Sequence, residues 1–166
     1  MNRRAWLARA LAPTTLFFIA GCSTFAPGNR QKHPEIQVWS GRLALNLASE
    51  PPQAFFATFE LKGTADDGEL TLTGPLGSVL AAMRWSHGTA SLRTGQDTRQ
   101  FDSVESLTRH ATGAALPVSA LFDWLGGINT TASGWQADLS RLEQGRLGAT
   151  RTVPAPPAEL KLILDR

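Results

Sequence analysis

The sequence predicts a mainly β domain with two short helices, and three observations carry that prediction. Apolar and polar residues alternate at a period of two through most of the stretch from Trp39 to Phe101. The period changes to that of a helix only between residues 102 and 127. The chain also holds 15 Gly and 10 Pro but no Tyr, which suits a turn-rich β protein better than a helical bundle.

The first element is a leader. Arg3, Arg4 and Arg9 form a positive segment, Ala10 to Ala20 is short and mostly apolar, and Ile19-Ala20-Gly21-Cys22 closes it with two small residues before the only cysteine. The stretch is too short and wrongly flanked to span a membrane, so residues 1–21 read as a cleavable export signal. The closing motif resembles a lipobox, which implies cleavage before Cys22 and covalent lipid on it. A lone thiol there has no disulfide partner, so lipid attachment explains it better than redox chemistry. Ser23 in the next position, rather than Asp, suggests sorting to the outer membrane.

The leader also distorts the charge. It contains three of the 16 basic residues and no acid, which leaves 13 basic against 14 acidic in the remaining 145 residues. The processed chain is nearly neutral, with no basic stripe for nucleic acid, and it has the size of one domain.

Residues 22–38 are polar, broken by Pro27, Gly28 and Pro34, and read as a flexible tether between lipid and domain. The domain, 39–166, is expected to begin with a half-buried strand placing Trp39, Gly41, Leu43, Leu45 and Leu47 on one face. Gln53 to Lys62 alternates Phe55, Ala57, Phe59 and Leu61 against Phe56, Thr58, Glu60 and Lys62. Asp66-Asp67-Gly68 then marks a turn into Glu69 to Thr73. After Gly74-Pro75-Leu76-Gly77, strands follow at Ser78 to Trp85, with Val79, Ala81, Met83 and Trp85 on one side, at Thr89 to Arg93 and near Thr98 to Phe101. Strands so closely spaced predict a meander that curls.

Asp102 followed by Glu105 looks like a capping box for a helix over Ser103 to Thr112, stopped by Gly113. Pro117 suits the first turn of a second helix, in which Val118, Leu121, Phe122 and Leu125 fall on one stripe. Gly126-Gly127 offers it a left-handed end. Trp135, Ala137 and Leu139 alternate again, and Leu147 to Val153 and Leu160 to Leu164 read as two last strands parted by Pro154, Pro156 and Pro157.

Nothing in this pattern points to catalysis, a metal or a cofactor beyond the lipid on Cys22. His33, His87 and His110 fall in the tether, a turn and a helix end, without a carboxylate or cysteine at ligand spacing. Asp66 and Asp67 precede a glycine as turn residues do, and no nucleophile-elbow, phosphate-loop or dinucleotide motif occurs.

Several blocks together carry a family resemblance. Glu105, Leu107, Gly113, Leu116-Pro117-Val118, Leu121 and Trp124-Leu125-Gly126-Gly127 resemble the signature of the outer-membrane lipoprotein receptors of the LolB family. Trp39-Ser40-Gly41-Arg42-Leu43-Ala44, Gly74-Pro75-Leu76-Gly77 and Gly134-Trp135 are similar to its flanking blocks, in the family's order. Leu139 to Glu159 is compressed, and the chain ends at Arg166 without the tryptophan that often closes the last strand.

The resemblance implies an incomplete, unclosed antiparallel β-barrel with a hydrophobic cavity covered by a helical lid. It implies a lipid-anchored protein on the periplasmic side of the outer membrane that accepts lipoproteins from the soluble carrier LolA, without nucleotide, and releases them into that membrane. Acyl chains, LolA and the outer membrane are then its partners, and a monomer its expected form.

Leu43, Leu45, Phe55, Phe59, Leu72 and Met83 would supply the acyl-binding face, with Val118, Leu121, Phe122 and Leu125 as the lid. Periodicity alone reads the same residues as a dry core. Leu76 has two readings: a hairpin tip folded back on its own barrel, or, as the resemblance implies, a projecting apolar tip that touches the bilayer. The competing function is a structural, assembly or secretion-pilot lipoprotein that grips a protein partner.

Overall fold

A computed structural model of the protein describes residues 36–165. The expected signal (1–21), Cys22 and almost all of the expected tether lie outside the described residues. The described chain forms one nine-stranded sheet in which every neighbouring pair is antiparallel.

The first six strands are β1 (Gln37–Leu47), β2 (Gln53–Gly63), β3 (Asp67–Thr73), β4 (Val79–Ser86), β5 (Thr89–Thr94) and β6 (Asp97–Phe101). Helices α1 (Val104–Thr112) and α2 (Val118–Leu125) follow, then β7 (Trp135–Asp138), β8 (Arg146–Arg151) and β9 (Ala158–Leu164). The sheet order is β6-β5-β4-β3-β2-β1-β9-β8-β7, so β1 sits in the middle, between β2 and β9. The edge strands β6 and β7 do not pair, and the sheet stays open. The segment carrying both helices joins these two edges. The expected class, mainly β with an unclosed antiparallel barrel, is therefore the observed one.

The period of two does the sorting. Leu43, Leu45, Leu47, Ala57, Phe59, Leu61, Leu70 and Leu72 are buried, while their neighbours Arg42, Thr58, Glu60 and Lys62 are exposed. β1 begins at Gln37, two residues ahead of Trp39, and its outward residues run Val38, Ser40, Arg42, Ala44 and Asn46. Exposed ion pairs stud this outer face, such as Glu60–Lys62 at 2.6 Å and Glu69–Arg84 at 3.0 Å; each contributes little stability.

Four local expectations are corrected. A bulge between Leu72 and Thr73 shifts the register so that Leu72 faces Ala81 and Thr73 faces Val79. Val79 is therefore exposed rather than on the side of Met83 and Trp85. Gly68 is a strand residue, not the end of a turn. It lies opposite Trp85, and a Cβ there would meet the indole at 2.5 Å and the Lys62 carbonyl at 2.7 Å.

The α1 cap is Ser103, not Asp102: its hydroxyl accepts from the Ser106 N–H at 3.1 Å, which puts Glu105 one position too early for a capping box. Pro117 is the residue before α2 rather than its first turn. The left-handed end expected of Gly126-Gly127 is present, at Gly127 (φ 84) directly after the cap residue. The compressed region between β7 and β8 is bridged by a 3₁₀ turn, Leu142–Gln144, that sequence periodicity did not reveal.

Candidate functional site

The inner face of the sheet and α2 enclose a single apolar interior. Leu43, Leu45, Phe59, Leu72 and Met83 reach it from four consecutive strands, and all are buried. Phe55 is half-buried and packs against the same cluster from its rim. From above come Val118, Leu121, Phe122 and Leu125, also buried. The residues expected to line the cavity are thus gathered in one contiguous hydrophobic cluster, those of the strands together with those of α2.

Phe122 is the point where cover meets wall. Its ring makes edge contacts with Trp39 (centroids 5.5 Å, planes at 67°) and Trp85 (6.3 Å, 72°). Such aromatic pairs contribute about 0.5–1.5 kcal/mol beyond their buried area. The alternation had put both tryptophans on the inward face without marking them as partners of the lid.

Trp124 and Trp135, each wholly buried, were also missed as interior residues. The signal for Trp124 was available: α2 is apolar nearly all round, and such a helix belongs inside. The polar edges of three indoles are satisfied by main-chain carbonyls. Trp85 Nε1 donates to Thr64 at 3.1 Å, Trp124 Nε1 to Thr130 at 2.6 Å and Trp135 Nε1 to Ala115 at 3.0 Å. This leaves the rings free to present apolar faces inward.

Two polar residues are buried among the described residues, Thr108 and Arg151. The Thr108 hydroxyl accepts from the Leu116 N–H at 3.0 Å and donates to the Glu105 carbonyl at 3.1 Å, tying α1 to the approach of α2. Arg151 lies over the Trp135 ring at 5.4 Å and donates to the Pro156 carbonyl at 3.0 Å, while its Nε finds no acceptor. Burial, and then the nearby charge of Arg109, push its pKa below the usual guanidinium value.

Chemistry-bearing groups stay outside. Among the described residues no group of three or more His, Cys, Asp or Glu is placed to hold a metal ion. His87 pairs with the Ser86 hydroxyl at 2.7 Å and His110 lies 3.3 Å from an Arg99 nitrogen, both on the surface. What gathers inside is an apolar cluster, and these two histidines lie outside it.

Leu76 stands apart from the interior. It is 97% exposed at the tip of the β3–β4 loop, so it projects rather than folding back. The loop is closed by hydrogen bonds from Gly77 N–H to the Gly74 carbonyl (3.0 Å) and from Gly74 N–H to the Ser78 carbonyl (2.9 Å). Gly77 takes φ 79 with open space where a Cβ would sit, so the turn needs glycine for its dihedral alone.

Comparison with known proteins adds a second line. Residues 37–155 match the family model described as outer membrane lipoprotein LolB. Relatives named outer-membrane lipoprotein LolB include one from Bordetella petrii, 28% identical over 98% of this chain and 92% of that protein. Another, from Cupriavidus necator, is 31% identical over 89% of this chain and 76% of its own length. A third, from Sodalis glossinidius, is 27% identical over 98% and 92%.

Proposed function

This chain belongs to the LolB family of outer-membrane lipoproteins, and from that membership we propose that its apolar interior takes up the acyl chains of lipoproteins delivered by the periplasmic carrier LolA. Membership places the protein at the periplasmic face of the outer membrane and makes its work the incorporation of lipoproteins there. The finer reading adds Cys22 as the lipidated anchor after removal of residues 1–21, residues 22–38 as the tether, and residues 39–166 acting as a monomer.

One observation carries the acyl-binding step. Wall residues from four strands and cover residues from α2 form one contiguous apolar surface, with the indole N–H groups of Trp85, Trp124 and Trp135 turned to carbonyls. An acyl chain gains about 0.8 kcal/mol for each CH₂ it buries. In the closed state the wall is covered by α2. A chain entering between them exchanges lid contacts for chain contacts of the same apolar kind, so opening costs little once the chain is in place. A permanently empty interior would instead cost roughly 24 cal/mol per Å³ of void. Transfer then follows relative affinity for the acyl chains and needs no nucleotide.

The test is to mix the chain from Ser23 onward with carrier loaded with a labelled lipoprotein. Label is expected to pass to the domain without nucleotide. No transfer to a domain shown to be folded overturns the acyl-acceptor reading and favours a grip on a protein partner.

Two variants separate uptake from delivery. Phe55→Asp places a carboxylate at the half-buried rim, where water can still reach it, so the fold is expected to survive and uptake to fall. Normal uptake removes this face from the site. Leu76→Glu is expected to accept cargo normally and release it poorly into liposomes, with no change in thermal unfolding. Normal release removes Leu76 from the mechanism.

A further inference from the structure

The outer face of the sheet holds a groove that the acyl-binding interior does not use. It occupies about 390 Å³ on the side of β1, β2 and β9 facing away from the interior, and Pro75 of the Leu76 loop forms one of its borders. Register explains its composition. Ala44 is paired with Phe56 on β2 and Lys161 on β9, while Arg42 is paired with Thr58 and Ile163. Phe56 is 60% and Ile163 39% exposed, unusual for large apolar side chains in central strands.

The groove is two-sided in chemistry, with an apolar floor of Ala44, Phe56 and Ile163 bordered by Pro75, beside the cations of Arg42 and Lys161. Their charges are not equally committed. Lys161 pairs with Glu159 at 2.9 Å. The carboxylates nearest Arg42 in the register are engaged elsewhere, Glu60 with Lys62 at 2.6 Å and Asp165 accepting from the Ser40 hydroxyl at 2.9 Å. Arg42 makes no ion pair with any carboxylate among the described residues. An apolar floor, an uncommitted guanidinium and an exposed leucine on the adjoining loop match an amphiphile with an anionic head.

We propose that this groove seats one anionic phospholipid of the target bilayer, its phosphate on Arg42 and its upper acyl carbons on Phe56 and Ile163. A planar guanidinium suits phosphate because it can donate two parallel hydrogen bonds. The seat rests on the delivery reading for its purpose, since it would hold the Leu76 loop against the leaflet that receives the cargo. It makes no use of the interior.

The processed chain, residues 22–166 carrying Cys22→Ala and isotopically labelled, is titrated with dioctanoyl phosphatidylglycerol kept below its micelle concentration, and amide shifts are followed by NMR. Saturable shifts are expected at Ala44, Phe56, Lys161 and Ile163, with weaker binding of dioctanoyl phosphatidylcholine. Arg42→Gln, at an exposed position that leaves folding intact, is expected to weaken phosphatidylglycerol binding by about tenfold, the loss of one charge-assisted hydrogen bond.

Equal binding of the two lipids, or no effect of Arg42→Gln, overturns the proposal, because the head group is then not read. Equal saturation by inorganic phosphate alone also overturns it, since the site would take any anion. Shifts confined to Leu45 and Phe59 overturn the groove while leaving the acyl-binding interior standing. Acceptance of cargo from the carrier is expected to be unchanged in Arg42→Gln, so failure of the seat and failure of the acceptor reading are told apart.

Discussion

Helices α1 and α2 are neighbours of nearly equal length, 9 and 8 residues, yet they are held in opposite ways. α1 is finished at both ends by its own sequence. Ser103 caps it, Glu105 lies in its first turn, Arg109 and His110 lie in its last, and left-handed Gly113 (φ 78) closes it with a hydrogen bond to the Arg109 carbonyl. It buries only Leu107 and Thr108. α2 has no side-chain cap, no acid in its first turn and no base in its last, and it buries six of its eight residues. An isolated helix this short is not stable in water. α2 is helical because of what it covers, whereas α1 carries more of its own reason to be helical.

That difference assigns mechanical roles under the proposed function. α1 is the fixed post, and the Thr108–Leu116 hydrogen bond holds the joint next to it. α2 depends on apolar contact but not on one particular partner. A bound acyl chain can replace the sheet beneath it while the helix stays covered. A lid built with strong caps and surface charges would gain nothing from cargo.

The dependence of α2 on burial concentrates at Trp124. It is fully buried in α2, and its indole N–H is spoken for by Thr130. Trp124→Ala is expected to cost about 3–5 kcal/mol in denaturant unfolding, well above the loss of the α1 cap in Ser103→Ala. A loss below about 1 kcal/mol would mean that α2 is held by something other than burial.

Most strands were legible because they have a period of two between turn residues, which one buried face enforces in β1, β2 and β3, whereas β6 is exposed along nearly its whole length. The cover was legible because Val118, Leu121, Phe122 and Leu125 share a helical stripe. Trp124 escaped because it lies off that stripe, although the apolar character of the whole helix marked it. The bulge that exposes Val79 left no local trace, since one extra residue in a ladder is decided by the partner strand. The outer groove was hidden for a different reason. Arg42, Phe56 and Ile163 meet only through the β1–β2 and β1–β9 pairings, and the second of these joins residues more than a hundred positions apart. Spacing along the chain carries no information about such a meeting.

The smallest expected effects, at the start of α1, separate two readings of one helix end. If the capping box ran from Asp102 to Glu105, Asp102→Ala would remove the cap and Ser103→Ala would be silent. The observed bond from the Ser106 N–H to the Ser103 hydroxyl reverses that order. Ser103→Ala is expected to cost about 1 kcal/mol, the usual loss for a capping hydroxyl, and Asp102→Ala to fall within about 0.5 kcal/mol of no change. Both positions lie outside the apolar interior, so neither variant is expected to alter acyl uptake. Paired unfolding curves decide the cap, and an uptake assay on the same two proteins tests whether α1 acts only as a post. Reduced uptake in Ser103→Ala, at a temperature where it remains fully folded, would mean that the lid's motion begins in α1, and the division of labour between the helices would fail there.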